Sequence, residues 1–417
     1  MSSIPQSSLH DVCVSIASSM LGLNVAKEIL RQLAEKIRGP RLIGLVTESN
    51  IARYPACDLS IIIVATGGTE HILQGIANNS RSVALLYNNK YNSLPATIEF
   101  LAYYREQGRE PLMVTGYRDI EHLVELVERL SRIYSAVCRL RKAKLGVIGG
   151  ISDWLIYSRV GSEYLKSLMD LQLSYIDTEE LIKAYNEAVV NASEINDILG
   201  RAHETLVTSE EVAKALRLYK ALQALITRYN LDGFTIKCFD IIPRLKTTSC
   251  LALALFNTML IPASCEGDIP LLISMALGEW ITLKPVFMAN IAEITSDSIV
   301  LAHCTSPIIG GYTLVTHFES GLGVSLRVDY RVGDKVTVYR LDNKVSTLRL
   351  GVGYIERHEW SENMCRTQVS VKLLGAEKIL RESIGNHYAL IIGDYMDDLV
   401  AAAKLLGASI DYFNVRA

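Results

Sequence analysis

The chain has 417 residues, 49% of them hydrophobic and 21% charged, with a formal net charge of −3. That length holds two or three domains with ample core, and that composition excludes disorder as the main state. The nearly balanced charge leaves no electrostatic footprint for a nucleic acid, and no run of about 18 apolar residues goes uninterrupted, so no membrane span is expected.

The segment Met1–Gln6 is polar and lacks the basic start and apolar centre of a secretory leader, so a cytoplasmic protein is expected. Residues 9–38 read as one or two amphipathic helices, with apolar spacings of three and four after Asn24. Strand-like runs then alternate with helical ones. Strands are expected at Arg41–Val46, Leu59–Ala65, Val83–Tyr87 and Pro111–Thr115, with helices over Ile72–Ala77, Leu94–Arg105 and Asp119–Arg141 between or after them. Such alternation implies a doubly wound parallel sheet. The pair Gly67-Gly68 follows the second strand. Its amides could meet an anion or sugar, but a tight turn is the commoner use, and the pattern is not G-x-G-x-x-G.

A second unit of the same kind starts at Leu145–Gly150. It continues through Leu173–Ile176, capping-box patterns at Asp177–Glu180 and Thr208–Glu211, and an apolar strand Gly233–Asp240 with Lys237 inside it. An apolar helix from Cys250 to Asn257 leads to a short β-like segment and the acidic turn Glu266-Gly267-Asp268. A helix over Leu271–Gly278 and a strand stopping at Asn290 follow. Beyond Asn290 short strands recur with turn-rich links and almost no helix: 298–303, 312–316, 322–327, 335–339, 348–353 and 367–372. They imply an antiparallel barrel or sandwich. A strand at His387–Gly393, a helix over Asp394–Leu406 and a last strand near Ile410 close the chain. The expected architecture is α/β: two Rossmann-like α/β/α domains, 1–143 and 144–292, then an antiparallel β-barrel-like domain, 293–417.

None of the eight cysteines forms a C-x-x-C pair, and most sit in apolar runs, so they are expected to be structural and reduced. Four of the eight histidines, His303, His317, His358 and His387, fall in the last third. One such histidine is usually structural. Several at strand ends, together with Glu266 and Asp268, suggest a site that suits a divalent ion such as Mn²⁺, Mg²⁺ or Fe²⁺ more than a thiolate zinc centre. Metal-assisted chemistry on a polar small molecule is as far as the residue types alone reach.

Four segments, Cys265–Ile269, Val286–Asn290, Leu301–Thr305 and Gly385–His387, resemble the L-fucose/L-arabinose isomerase family in order and spacing, and the likeness covers most of the chain. The resemblance implies a cytoplasmic ketol isomerase acting on a pentose or deoxyhexose through an ene-diol. It also implies a divalent metal, Mn²⁺ foremost, no other bound cofactor, and a trimeric or hexameric homo-oligomer. Glu266 would be metal ligand and proton-transfer group, and His387 a second ligand. At the third ligand position, an aspartate in the family, this chain has Asn290. An amide oxygen can ligate a hard cation but cannot act as a base, so metal affinity should fall. The missing base would then come from Asp268, Glu319 or another group. Asp268 also fits a helix N-cap, Glu319 a turn residue, and Lys237 either an anion contact or a snorkelling side chain. Lys237, Asp268, His303 and Glu319 are therefore candidate substrate-binding groups. The alternatives are a divergent relative with another sugar-directed reaction, or a non-catalytic sugar-binding protein.

Overall fold

A computed structural model describes residues 11–356 and 360–413. The leader reading of Met1–Gln6 and His358 lie outside these residues. The chain divides into two compact units, one through Cys138 together with Asp397–Leu406, the other Arg139–Met396 with the chain from Gly407 on.

The first unit holds a five-stranded parallel sheet. Its order is Arg41–Val46, Val12–Ala17, Cys57–Val64, Ser80–Tyr87 and Met113–Gly116. Chain order 2-1-3-4-5 is a doubly wound pattern. The expectation of helix over 9–38 is corrected here, because Val12–Ala17 is a strand and the helical part is a 3-10 turn at Met20–Gly22 followed by an α-helix over Leu23–Lys36. All six residues of that strand are buried between two neighbours, and an apolar run covered on both faces has no period to announce it. Cys13 and Cys57 form a disulfide, which corrects the reduced state expected of them. Their Cα atoms lie 6.0 Å apart across neighbouring strands, within ordinary bridging range. At the Gly67-Gly68 turn the Gly67 amide donates to Tyr91 O, and Gly68 takes a positive φ of 69°. These are properties of a tight turn.

In the second unit a four-stranded parallel sheet runs in the order Ala263–Cys265, Gly233–Ile236, Lys144–Ile148 and Gln172–Ile176. The strand at Gly233 is shorter than expected. Lys237 is the N-cap of a helix, Cys238–Leu245, where the chain turns away from the sheet. Helix Ile269–Thr282 is buried along its whole length, as befits a helix apolar on every side. It lies against strand Lys335–Leu341: Tyr339 OH donates to Ser274 O at 3.0 Å, and the Leu341 amide donates to Ser274 Oγ at 3.0 Å.

Seven strands form a largely antiparallel sheet in the order Lys335–Leu341, His387–Ile392, Phe287–Ile294, Ser298–His303, Thr367–Lys372, Thr347–Ile355 and Ser409–Tyr412. Lys335–Leu341 also pairs with Thr347–Ile355, so each of the first six strands is paired on both sides. The strand expected to stop at Asn290 runs on to Ile294, because Asn290 is paired on both edges, with Ala302 and with His387. Two segments expected in this sheet, 312–316 and 322–327, instead supply strands Tyr312–Val315 and Ser325–Val328 to a separate three-stranded sheet with Glu204–Thr205. The link through Pro307, Gly310 and Gly311 carries no strand that could hold them in the larger sheet.

Candidate active site

The site forms where the parallel and antiparallel sheets of the second unit bring four segments together. Strand Ala263–Cys265 ends in a sharp turn in which both Glu266 (φ 62°) and Gly267 (φ 78°) are left-handed. Glycine is required at 267, since a Cβ there would stand 2.5 Å from Gly150 O and 2.6 Å from Ile151 Cα. A left-handed glutamate carries backbone strain, which persists where surrounding contacts over-determine it. Here the Ser152 amide donates to Glu266 O at 3.0 Å and Trp154 Nε1 donates to Glu266 Oε2 at 2.7 Å.

The other carboxylate oxygen, Oε1, faces two imidazoles. His387 Nε2 lies 3.6 Å away and His303 Nε2 3.8 Å away. Both exceed hydrogen-bond length but are close enough for attraction between charges. Each ring is fixed by its other nitrogen: His387 Nδ1 is 3.0 Å from Asp268 Oδ2, and His303 Nδ1 is 2.8 Å from Thr305 Oγ1. The donor atoms of Glu266, His303 and His387 all lie within 4.8 Å of one another. One carboxylate and two imidazoles, with outer hydrogen bonds fixing both rings, is a donor set that fits a divalent ion.

Charge keeps the group ordered. Burial alone would raise the Glu266 carboxyl, but His303 and His387 outweigh it and hold it well below the usual carboxylate range. Burial would likewise lower the His387 pKa, yet the carboxylates of Asp268 and Glu266 push it up to about 9. Asp268 is held at about 2, because Arg340 and His387 more than offset the penalty of burial.

Asp268 does not face the recess. It is fully buried, caps helix Ile269–Thr282 through the Leu271 amide, and carries the Arg340 guanidinium at 3.0 Å. Arg340 also donates to His387 O, Ile384 O and Ser158 Oγ. Asn290 lines the same recess as Glu266, His303 and Glu319, and its Oδ1 accepts from Asn386 Nδ2 at 3.1 Å. Glu319 lies on the exposed side, 3.9 Å from His317 Nε2, with its carboxyl raised chiefly by burial. Lys237 is engaged elsewhere, by Asp240 at 3.1 Å and Asp153 at 3.5 Å.

Trp154, Thr305 and Arg340 carry much of this geometry and were not singled out from the sequence. Arg340 had a signal, as the one charged residue within the apolar run Val336–Leu341. Trp154 had none beyond following a glycine turn.

Residues at the carboxyl end of a parallel strand meeting histidines from an antiparallel sheet define an α/β enzyme with a polar, charge-bearing site. No protein-family profile matches the chain. The chain is similar to the sulfoquinovose isomerase of Clostridium sp. (strain MSTE9), 24% identical over 314 residues that span 70% of each protein. It is equally similar, 24% over 316 residues, to the sulfoquinovose isomerases of Priestia aryabhattai and Priestia megaterium (strain ATCC 12872 / QMB1551), spanning 70% of this chain and 69% of each relative. On this relationship the chain is an enzyme, an isomerase of the intramolecular oxidoreductase class. Among the described residues no helix is long and apolar enough to cross a membrane.

Proposed function

We propose that the chain interconverts an aldose and a ketose by proton transfer between neighbouring sugar carbons, with Glu266, His303 and His387 as the central residues. The observation that carries this reading is the pair of imidazoles whose Nε2 atoms converge on one oxygen of Glu266 while Asp268 and Thr305 hold their Nδ1 atoms. A divalent ion, Mn²⁺ in the first instance, would be held by Glu266, His303 and His387, with the Asn290 amide oxygen lining the same recess. Bound there, it would polarise the sugar carbonyl and the adjacent hydroxyl.

The chain's own groups divide the remaining work. Two carboxyl groups with oppositely shifted pKa values line the recess, Glu266 lowered and Glu319 raised. Groups pushed apart in this way suit the acceptor and donor roles of proton transfer. Glu266 stays ionised, takes the proton from the carbon bearing the hydroxyl and returns it to the former carbonyl carbon, while Trp154 orients its second oxygen. Glu319 gives its proton to the carbonyl oxygen and takes one back from the neighbouring hydroxyl as the ene-diol collapses, an acid–base role that Asn290 cannot fill. Phe239, edge-on to both Trp154 and His317, makes an apolar wall that limits water.

Substrate choice is tested directly. Purified protein loaded with Mn²⁺ is assayed with sulfoquinovose, the sugar in the relatives' names, beside neutral pentoses and deoxyhexoses. Isomerisation that a chelator abolishes and Mn²⁺ restores, and that Glu266→Gln removes, is the expected result. Ligand binding without turnover, indifferent to chelator, would instead make the chain a sugar-binding protein. Deuterium exchange at the carbon next to the carbonyl during turnover would mark the ene-diol route.

A further inference from the structure

Five of the six cysteines outside the disulfide line one recess: Cys238, Cys250, Cys265, Cys304 and Cys365. Three of them meet around a histidine. Cys250 opens helix Cys250–Thr258, Cys304 follows directly on strand Ser298–His303, and His317 lies in the turn after Tyr312–Val315. The Sγ atoms of Cys250 and Cys304 and one ring nitrogen of His317 all lie within 4.8 Å of one another, and all three residues are buried. Cys365 lines the same recess. His317 Nδ1 is 3.0 Å from Ser320 Oγ, which leaves Nε2 as its ligand nitrogen. Ser249, fully buried beside Cys250 on the same recess, has an Oγ with no hydrogen-bond partner among the described residues.

Buried thiols ordinarily serve as small hydrophobes spread through a core. Here they come from segments far apart in sequence and converge beside an imidazole and a hydroxyl. Strand Ser298–His303 ends at His303 and the chain bends at Cys304, so one side chain serves Glu266 while the other turns toward Cys250. The geometry points to a second metal centre, built on Cys250, Cys304 and His317, with Cys365 from the wall of the same recess completing it, and separate from the Glu266, His303 and His387 set. Three thiolates and one imidazole select a thiophilic ion of the Zn²⁺ class, whereas the carboxylate-bearing set suits a harder one. Ligand atoms around a tetrahedral Zn²⁺ stand about 3.5–3.8 Å apart, as bond lengths of roughly 2.0–2.3 Å require, so Cys250, Cys304 and His317 need only a small contraction, while Cys365 must move in from the recess wall. Four protein ligands leave no open position, which assigns the centre a structural role: it would tie three turns to the start of a helix at the edge of the active site.

The test uses the full chain, stripped of metal and kept reduced, titrated with Co²⁺. A thiolate-to-cobalt charge-transfer absorption in the near ultraviolet is expected. It should be lost in Cys304→Ser and in the more exposed Cys365→Ser, and retained in Glu266→Gln, which disables only the other site. Zinc analysis should fall by one equivalent in either cysteine variant. Circular dichroism verifies the fold of each variant, and Cys365→Ser serves if Cys304→Ser does not fold. Absence of the absorption from the wild-type chain, or its persistence in the folded cysteine variants, overturns the inference. Isomerase activity of Mn²⁺-loaded protein is independent of that outcome.

Discussion

Asp268 holds His387 by its Nδ1 at 3.0 Å while the same carboxylate grips Arg340, and all three side chains are fully buried. A carboxylate behind a histidine fixes the tautomer and turns Nε2 toward the site. The arrangement makes Asp268 a positioning residue rather than one that meets substrate. Asp268→Asn keeps a cap for helix Ile269–Thr282 but leaves the Arg340 charge without its partner. A loss of roughly 3–5 kcal/mol of stability is expected, since removal of one member of a buried pair strands the other. Metal affinity should fall by about 10–100-fold. Denaturant titration and calorimetric Mn²⁺ binding check the two effects, and unchanged affinity in a folded variant would remove the positioning role.

Trp154→Phe deletes one hydrogen bond and little else. The indole Nε1–H is 2.7 Å from Glu266 Oε2, and the ring's edge-on contact with Phe239 survives in phenylalanine. A hydrogen bond to a charged group is worth about 1.5–3 kcal/mol, so kcat should fall by roughly 10–100-fold. Near-normal turnover in the variant would show that the carboxylate is oriented by other contacts.

Glu279 gives the fold a pH dependence of its own. Neither carboxyl oxygen has a hydrogen-bond partner at normal geometry among the described residues. Burial raises the pKa well above 4.5, offset only in part by the Val286 backbone and the Arg139 charge. Above the unfolded value the unfolded chain releases this proton while the folded chain keeps it. Stability is therefore complete below that pH and declines as pH rises through the folded pKa, by about 1.4 kcal/mol per pH unit. Glu279→Gln cannot ionise, so its stability relative to wild type should climb from pH 5 to pH 8. A constant difference across that range would mean that Glu279 is already charged in the fold.

What could be read in advance follows from how local each signal is. The alternation of apolar runs and capped helices reveals both parallel sheets, because each strand and helix carries its own pattern. Val12–Ala17 escapes, since burial on both faces erases the period that separates strand from helix. Glu266, His387 and His303 stand out as polar residues at the ends of apolar strands. Their supports do not. Trp154 reaches Glu266 across 112 positions and Arg340 reaches Asp268 across 72. Contacts over such separations are set by how the two sheets meet, and no local pattern encodes them. The disulfide is of the same kind, as Cys13 and Cys57 become neighbours only through strand pairing, 44 positions apart.

Asn290 is where the sequence departs from the expected ligand pattern, and a single substitution examines the departure. It is paired with Ala302 on one side and His387 on the other, and its side chain lines the recess with Glu266 and His303. Asn290→Asp adds one negative charge with almost no change of shape. Two carboxylates and two imidazoles should bind Mn²⁺ more tightly, by at least tenfold if the new charge gains about 1.4 kcal/mol. The cost falls on the unloaded protein, where a second anion beside Glu266 repels it and Asn386 Nδ2 must serve a charged acceptor. The variant should therefore lose thermal stability without metal and recover it, or exceed wild type, with saturating Mn²⁺. Thermal scans with and without the ion, alongside calorimetric titration, read both halves. Equal affinity in the two proteins would show that Asn290 lies outside the coordination sphere, and that Glu266, His303 and His387 bind the ion without it.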